Sequence, residues 1–378
     1  MKILIPTAHY FPSQVGGPAN TLYWFIKHLN KFDNVQTFVV SSCIGIDESE
    51  SIHTNKLFNY AYGLTKYIKT NNPKTSLRFV FSSLRLVSKS DIVYLPSLFF
   101  PPTVLITLFA FLLSKKIVIA PRGQLFGSAL SRRQTSKEIY IRFFRIFSKK
   151  IYWHATSEIE KETIQNYFKT KECFVIPNYI ECTEKLVVAK KKQFLFLGRI
   201  NPIKGLSNFI ISLAENKTFL ESEFIFLIAG KATLPHELKY KISLENLIEE
   251  KGLQSKIVFL GEIKGQEKER YLAESHCLVL PSYSENFGNV VLESLNQGTP
   301  VLTTTGTPWK VLAEKKSGWW VDNDVESLSK TVSTVLEQDQ QSYNQYCENA
   351  NRLVNDEFDI EKNVGNWLNI FTSIYNSR

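Results

Sequence analysis

The chain has 378 residues, more than one typical core contains, so we predict two domains. Its residues are 44% hydrophobic and 21% charged, an ordinary globular composition that excludes wholesale disorder. The net charge of +9 admits nucleic acid, anionic lipid or phosphorylated ligands as partners and does not choose among them.

The beginning of the chain and its cysteines predict a cytoplasmic protein. The stretch MKILIPTAHY turns polar within a few residues, which indicates a buried first strand and not a signal peptide. The five cysteines are odd in number and scattered, without a C-x-x-C motif or a Cys/His cluster. Neither a disulfide framework nor a zinc site is therefore indicated, and we expect reduced thiols.

Short apolar runs alternate with helical segments through most of the chain. Because the runs are almost continuously apolar, we expect strands buried on both faces, as in parallel sheets covered by helices. The predicted fold is therefore α/β, with two doubly wound parallel-sheet domains. The predicted strands are, in chain order, KILIPT, VQTFVVS, DIVYLP, KIVIAP, IYWHAT, CFVIPN, FLFLGR, FIFLIAG, KIVFLG, CLVLPS and PVLTTT.

A charged, aperiodic stretch predicts the domain boundary. We assign residues 1–178 to the first domain, 179–193 to a linker and 194–358 to the second domain. The lysine run 190–192 near the end of the linker indicates solvated surface. The tail 359–378 has apolar residues at helical spacing, so we expect a helix that packs back on the first domain.

Two segments of the first domain bear on membrane contact. The uninterrupted apolar part of LFFPPTVLITLFAFLLSKK spans about 11 residues, whereas a bilayer needs roughly 20, so we expect a buried or membrane-apposed helix. Residues 131–150 suit an anionic membrane surface, nucleic acid, or an ordinary helix whose aromatic residues face the core. They combine Arg132, Arg133, Lys137, Arg142, Arg145, Lys149 and Lys150 with Tyr140, Phe143, Phe144 and Phe147.

The loop after the first strand is a candidate anion site, because ligands of parallel α/β domains bind beyond the carboxyl ends of the strands. Gly16 and Gly17 precede a predicted helix, and free amides at a helix start favour an anion. His9 lies in the same loop and could contact a substrate. No G-x-G-x-x-G follows this strand, which argues against a dinucleotide enzyme, and the chain has no P-loop motif.

The second domain has a cationic loop and an acidic loop. Arg199 and Lys204, in GRINPIKG, follow a predicted strand; together they suit a diphosphate, with arginine as a planar fork and lysine as a point charge. In SENFGNVVLESLNQG, Glu285 lies in a loop, and Gly288 allows a ligand to approach the backbone. Glu293 lies one turn into the helix that follows, where it could accept paired hydrogen bonds from ribose hydroxyls.

The E-x7-E spacing in ENFGNVVLE, with GRINPIKG upstream, resembles the retaining GT-B glycosyltransferases of family 4 (group 1), of the bacterial surface-polysaccharide type. The resemblance implies two Rossmann-like domains facing a central cleft and a nucleoside-diphosphate sugar as donor. It implies a saccharide or lipid-linked saccharide acceptor, used in capsule, lipopolysaccharide or exopolysaccharide synthesis, and contact with the inner face of the plasma membrane. Neither a cofactor nor an essential metal is expected.

The resemblance also implies a role for each matching residue. Arg199 and Lys204 would hold the donor diphosphate, Glu293 the ribose and Glu285 the donor sugar. Arg122 lies in APRGQLFG, where many relatives carry a histidine near the transferred sugar, so the predicted catalytic residues are Arg199, Lys204, Glu285 and Arg122. The other predicted donor contacts are Gly16, Gly17, Gly230, Ile263, Asn286, Phe287, Gly288 and Asn289. The predicted acceptor-side residues are His9, Gln124 and Trp309, with core packing an equal alternative for Trp309.

Two other function classes stay open. A GT-B epimerase of nucleotide sugars would share the diphosphate site but form no glycoside. A non-enzymatic protein could bind nucleic acid or other anions through residues 131–150. It would leave the cationic and acidic loops of the second domain without a joint role, so no nucleic-acid partner is predicted. The DND triplet at 322–324 opens a predicted helix, which favours helix capping over metal binding.

Overall fold

The computed structural model describes the backbone of residues 1–13, 17–130 and 134–377, and the side chains of these residues except 17, 18, 128, 129 and 134. The predicted donor contact at Gly16 lies outside the described residues, as do the basic residues Arg132 and Arg133 of the 131–150 segment.

The strands and helices are numbered in chain order. The strands are β1 Lys2–Pro6, β2 Gln36–Ser42, β3 Leu57–Tyr60, β4 Gly63–Ile68, β5 Ile92–Leu95, β6 Lys116–Ile119, β7 Tyr152–Ala155, β8 Cys173–Val175, β9 Lys191–Leu197, β10 Ile225–Ala229, β11 Ile257–Gly261, β12 Ser275–Leu280, β13 Val301–Thr304 and β14 Gly318–Val321. The helices are α1 Gly17–Leu29, α2 Leu77–Val87, α3 Pro101–Leu112, α4 Gly127–Leu130, α5 Gln134–Phe147, α6 Glu158–Phe168, α7 Leu206–Ala214, α8 Lys217–Glu221, α9 Pro235–Glu250, α10 Gly265–Glu274, α11 Asn289–Asn296, α12 Val311–Glu314, α13 Val325–Leu336, α14 Gln340–Leu353 and α15 Ile360–Asn376.

The chain forms two compact units, which we call unit 1 and unit 2. Unit 1 contains Met1–Glu181 and Ile360–Arg378, and unit 2 contains Cys182–Asp359. Within the described residues, unit 1 has the strand order β3-β4-β2-β1-β5-β6-β7-β8, parallel throughout except for the antiparallel β3–β4 pair. Unit 2 has the wholly parallel order β11-β10-β9-β12-β13-β14.

Side chains of β5 show how the unit 1 sheet is buried on both faces. Val93 and Leu95 point into an apolar cluster that also contains side chains of α2, α3, α5 and α6. Tyr94, between them, points the other way and packs on Phe25 of α1, with ring centroids 5.6 Å apart. On that face α1 meets α15, where Trp367 lies 4.4 Å from Phe25. Burial on both faces explains the continuous apolar pattern of this strand.

Every apolar run predicted to be a strand contains one, whereas the prediction omits β3, β4 and β14. The residues of β3 are mostly exposed, and those of β4 alternate between buried and half-buried, so neither forms the continuous apolar run that predicted the other strands. The short β14, GWWV, lies at the edge of the unit 2 sheet and is largely half-buried.

The lysine run predicted to be solvated surface is not uniformly solvated. Lys190 donates to the Thr299 hydroxyl, and burial lowers the pKa of its ammonium to about 8. Lys191 lies 2.6 Å from Glu274 in an ion pair at the start of β9. The prediction was wrong for Lys190 because a charge run identifies polar side chains but not the groups that cover them.

The apolar segment of the first domain forms α3, a helix of 12 residues. Among the described residues, no helix is both long and apolar enough to cross a membrane.

Candidate active site

The two loops singled out in the second domain meet at one edge of the unit 2 sheet. Strand β9 has β10 on one side and β12 on the other, so the chain order reverses beside β9. Ligands of open α/β sheets bind at the carboxyl ends of strands at such a switch point. The loop after β9 contacts the loop after β12, where the Tyr283 N–H donates to the Ile203 carbonyl at 2.8 Å.

Close packing brings Lys204 of the first loop to Glu285 of the second. Their ammonium and carboxylate form an ion pair, and the two side chains are only 16% and 19% exposed. The tight turn Pro202–Lys204 ends at Gly205, whose φ is +68°. A Cβ at Gly205 would lie 1.9 Å from the Pro281 carbonyl oxygen, so only glycine permits the two loops to approach this closely.

A buried carboxylate on α9 holds the start of the cationic loop. Glu237 has a fully buried side chain and accepts hydrogen bonds from the Asn201 amide at 3.0 Å and from the Thr233 N–H at 3.0 Å. Arg199 lies 3.7 Å from the same carboxylate, with 69% of its side chain exposed. Burial would raise the pKa of Glu237, but these hydrogen bonds and that of the Leu234 N–H lower it to about 2. The guanidinium of Arg199 therefore lies beside a buried carboxylate and is still largely open to a ligand.

Glu293 lies on α11, which begins in the same acidic loop. Its carboxylate accepts from Lys268 of α10 at 2.9 Å, and the two side chains are 19% and 23% exposed. Both predicted carboxylates therefore pair with a lysine, and each lies at the carboxyl edge of the sheet.

The backbone before α11 is fixed by Gly288 and Trp309. Gly288 caps the helix with a φ of +80°, in the left-handed region that favours glycine. The Trp309 indole N–H donates to the Phe287 carbonyl, and its ring lies 5.0 Å from that of Phe287. Trp309 is only 1% exposed, so it offers no face to a saccharide. The predicted acceptor contact of Trp309 is thus corrected to core packing, which also holds the loop that contains Asn286 and leads to Asn289.

Gly230 and Ile263 follow β10 and β11. Gly230 has a φ of +152°, and a Cβ there would lie 1.8 Å from the Gly198 carbonyl oxygen. Close packing against the end of β9 therefore explains this glycine without a ligand. Ile263 is 8% exposed. Their predicted contact with the donor base stays a prediction.

Buried polar atoms without partners occur at the predicted site in each unit. Among the described residues, the Ser282 hydroxyl and the Asn286 side-chain oxygen of unit 2 have no hydrogen-bond partner. In unit 1 the same is true of the His9 Nδ1 and the Arg122 Nε. Buried polar groups are normally satisfied, so orphaned ones in these loops are compatible with a ligand that satisfies them.

Arg122 follows β6 in unit 1, in a left-handed conformation with a φ of +51°. Its guanidinium donates to the Tyr94 hydroxyl at 3.2 Å, and that hydroxyl lies 3.0 Å from the His154 ring. Burial, and then the charge of Arg122, lower the pKa of His154 to about 3, so the imidazole is neutral. The next loop residue, Gly123, donates its N–H to the buried Glu160 at 2.5 Å. Arg122 is thus turned into unit 1, and its catalytic role stays a prediction.

The other two acceptor-side candidates of unit 1 differ in their partners. The Gln124 amide oxygen accepts from the Leu98 N–H at 2.8 Å, and its nitrogen donates to Ser97 at 2.9 Å. Gln124 therefore ties its loop to the one after β5. His9 is half-buried, and burial lowers its pKa. Gly17 is the first residue of α1, which confirms its predicted position at the start of a helix.

The aromatic residues of α5 face the core and not a partner. Phe144 is fully buried, and Tyr140, Phe143 and Phe147 pack around the same apolar cluster. The aromatic residues of the described part therefore pack as in an ordinary helix, while contact of its exposed side chains with a membrane stays a prediction. The exposed large apolar side chains of α5 are Ile139 and Ile146.

Comparison with known proteins identifies the family of unit 2. The model of the glycosyl transferases group 1 family matches residues 183–353. Unit 2 belongs to the glycosyl transferases group 1 family. We call it the group 1 domain.

Relatives and solved structures extend the likeness beyond the group 1 domain. The chain is 24% identical to a 41.2 kDa protein in the cps region of Klebsiella pneumoniae, over 79% of this chain and 83% of that protein. It is 24% identical to the O-antigen chain mannosyltransferase RfbU of Salmonella typhimurium, over 61% of this chain and 64% of that protein. Anabaena HepE in complex with UDP and glucose superposes with a TM-score of 0.75 at 18% identity, covering 99% of this chain and 100% of that one. The fold is GT-B.

Two residues that hold the site of the group 1 domain, Glu237 and Lys268, were not identified from the sequence. Glu237 has a weak signal, since Pro235 and a glutamate two residues later are typical of a helix start. Lys268 lies on a strongly charged helix, GQEKERYLAE, where nothing distinguishes it from its neighbours. Only the packing of α10 beside α11 reveals its pairing with Glu293.

The DND triplet of the group 1 domain begins a helix. Asp324 caps α13 and accepts from the Ser327 N–H at 2.8 Å, which confirms the predicted capping role. Across the described part of the chain, no group of three or more His, Cys, Asp or Glu side chains is placed to hold a metal ion.

Proposed function

We propose that this protein transfers a sugar from a nucleoside-diphosphate sugar to a saccharide or lipid-linked saccharide, with retention of the anomeric configuration, in cell-surface polysaccharide synthesis. One observation carries the proposal: at the switch point of the group 1 domain, Lys204 pairs with Glu285, and the loop of Lys204 also contains the exposed Arg199. Cations that suit a diphosphate and a carboxylate that suits sugar hydroxyls thereby share one sheet edge.

In this proposal, donor binding replaces two ion pairs. The diphosphate oxygens compete for the Lys204 ammonium and release Glu285, which then accepts from a hydroxyl of the donor sugar. Glu293, held by Lys268 before the donor arrives, accepts from the ribose hydroxyls. Pairing keeps the carboxylates in place while the site is empty, so less reorganisation is needed on binding.

The proposed chemistry is a front-face displacement. The bond between the anomeric carbon and the diphosphate oxygen breaks, the acceptor oxygen bonds to that carbon on the same face, and the acceptor proton passes to the departing phosphate. Arg199 and Lys204 stabilise the charge on the leaving diphosphate, and the amino end of α11 faces the same group. This role requires positioned cations and no strong base.

The acceptor class rests on the relatives and on the surface of unit 1. One relative is named as an O-antigen chain mannosyltransferase, and another as a protein of a cps region. Ile139 and Ile146 of α5 are 65% and 77% exposed, beside the exposed Arg142. This combination supports contact of residues 131–150 with an anionic membrane, where a lipid-linked saccharide would be presented.

Thermal unfolding with UDP, GDP, ADP and CMP tests the donor site, with UDP first because HepE is solved with it. We expect one nucleoside diphosphate to raise the midpoint by roughly 5–10 °C at about 100 times its Kd. Arg199→Ala should abolish most of that shift. Lys217→Ala, which removes an 86% exposed charge elsewhere on the same domain, should retain it.

Product analysis tests the reaction. NMR of the product should show a new glycosidic linkage with the anomeric configuration of the donor. A nucleotide sugar that is epimerised without forming a glycoside would establish the epimerase alternative. The absence of both a nucleotide-dependent shift and donor turnover would reject the proposal.

A further inference from the structure

A second charged site lies at the edge of unit 1 opposite Arg122. A cavity of about 450 Å³ opens where α3 leads into β6 and α5 leads into β7. It therefore lies at the amino ends of these strands, whereas Arg122 follows the carboxyl end of β6. Its wall includes Phe111, Lys115, Lys116, Phe147, Lys149 and Lys150.

Within the described residues, the lysines that line this cavity outnumber its carboxylates. Lys116 donates to the neutral Ser377 carbonyl at 2.7 Å. None of the four cavity lysines forms an ion pair with a carboxylate of the described chain, although Glu172 lies on the wall. In residues 101–150 the only acidic side chain is Glu138. Four lysines that line one cavity repel each other, and an anion between them relieves that repulsion.

The two helices that lead into the cavity also carry exposed apolar side chains. On α3, Leu105, Leu108 and Leu112 lie along one stripe and are 50%, 37% and 80% exposed. Ile146 of α5 is 77% exposed. Phe111 and Phe147 join the two helices beneath this surface, with ring centroids 4.9 Å apart. Single exposed apolar residues are ordinary, but a stripe of them beside a lysine cavity is not.

We propose that this cavity, which we call the lysine cavity, binds the phosphate head group of an anionic membrane lipid. The lysines hold the phosphate, and the side chains of Leu112 and Ile146 enter the acyl region beside it. The inference rests on the proposed membrane contact of residues 131–150 and not on the proposed sugar transfer. It places the membrane contact at α3 as well as α5, near the amino ends of β6 and β7.

The surroundings favour a lipid over other anions. Free phosphate would engage the lysines but leave the apolar stripe in water. Single-stranded nucleic acid requires exposed aromatic faces for its bases, whereas Phe111 and Phe147 are half-buried and pack on each other. Only a lipid surface supplies both a phosphate and an apolar phase.

Vesicle sedimentation tests the charge contribution. The full chain should bind vesicles of phosphatidylglycerol and phosphatidylcholine in equal parts and should not bind phosphatidylcholine alone. Lys149→Ala/Lys150→Ala should weaken binding about 25-fold, since each lysine near an anionic surface contributes roughly fivefold. The matched control Lys239→Ala/Lys330→Ala removes the same charge from exposed positions of unit 2 and should bind like wild type.

A second pair of variants tests the apolar contribution. Leu112→Gln should weaken vesicle binding, whereas Val187→Gln, at a 97% exposed position of unit 2, should not. The nucleotide-dependent thermal shift should be unchanged in all four variants, because it reports on the donor site. A failed donor site and a failed lysine cavity therefore give different results.

Three results would overturn the proposal. Equal binding to phosphatidylcholine alone would show that charge is not required. Wild-type vesicle binding by the Lys149/Lys150 variant would show that another surface is used. Titration of the protein with inorganic phosphate or an RNA oligonucleotide that reveals tight binding dependent on these lysines, without vesicle binding, would assign the cavity to that ligand.

Discussion

Units 1 and 2 each use a buried glutamate to hold a loop that carries an arginine. In unit 1, Glu160 of α6 accepts the Gly123 N–H, one residue after Arg122, and is 1% exposed. In unit 2, Glu237 of α9 accepts the Asn201 side-chain amide, two residues after Arg199. In each case the arginine follows the carboxyl end of a strand.

The two arginines nevertheless point to different environments. Arg122 donates to Tyr94 inside unit 1, whereas Arg199 is 69% exposed at the sheet edge. The carboxylates differ as well, because burial raises the pKa of Glu160 while hydrogen bonds outweigh burial and lower that of Glu237 to about 2. A cation at the end of a strand can therefore either bind a ligand or pair with groups in the core, depending on which side chains surround it.

The largest effect is expected where the cationic loop meets the acidic one. Lys204→Ala should lower kcat/KM for transfer about 10²–10³-fold, because the charge that develops on the leaving diphosphate loses a positioned donor. Steady-state kinetics with the donor identified by thermal shift measure this. Lys241→Ala, in a surface pair with Glu245, is the control and should turn over normally. Wild-type turnover by Lys204→Ala would remove this residue from the site.

The next effect is on stability and concerns unit 1. Arg122→Met should lower the free energy of unfolding by about 1–3 kcal/mol, since the buried Tyr94 hydroxyl loses a charged donor. The nucleotide-dependent thermal shift should persist. Urea unfolding and the shift measure the two quantities. Slower transfer at unchanged stability would instead give Arg122 the catalytic contact predicted from the sequence.

The buried glutamates Glu237 and Glu160 can each be replaced by glutamine, which gives a matched pair of variants. Glu237→Gln should weaken nucleotide binding about tenfold, or ~1.4 kcal/mol, because Asn201 and Arg199 lose their anchor. Glu160→Gln should leave nucleotide binding unchanged, since its loop lies in the other unit. Isothermal titration measures both. Equal losses in the two variants would show that the effect is not specific to the cationic loop.

The contributions of Glu237 and Glu160 to stability should change with pH in opposite directions. The pKa of Glu237 is lowered from 4.5 to about 2, so its ionised form stabilises the folded state above the ordinary value, and this stabilisation is lost as pH falls towards 2. The pKa of Glu160 is raised, so a fall in pH favours its folded state. Urea unfolding across the acid range should show a smaller acid loss for Glu237→Gln than for wild type. An identical acid loss would contradict the assignment.

The smallest effect concerns the acidic loop, which has no such glutamate anchor. Trp309→Phe should cost about 0.5–1.5 kcal/mol of unfolding free energy, because the Phe287 carbonyl loses its buried donor. Trp320→Phe, whose indole N–H also donates to a carbonyl, is the matched control for the loss of an indole. Nucleotide binding should weaken only in Trp309→Phe.

Much of the fold and of the donor half of the site could be predicted from local patterns. Strands that form continuous apolar runs are visible in the sequence, including the edge strands β8 and β11, whereas β3, β4 and β14 form no such run and are not. Arg199, Lys204, Glu285 and Glu293 could be found because each lies in a loop after a recognisable strand or within the helix that begins there. Lys268 could not, because a helix with charges all along its length gives no sign of which one faces a neighbour.

The sequence by itself determined the α/β class, most of the strands that form the two sheets, and the loops that contain the charged residues of the site. Periodicity and turn residues act over a few positions, so a single segment contains the information. Only the tertiary structure decided that Trp309 is buried, that the aromatic residues of α5 face the core, that Arg122 points inward and that four lysines share a cavity. These outcomes depend on segments distant in sequence, whose mutual packing no local pattern specifies.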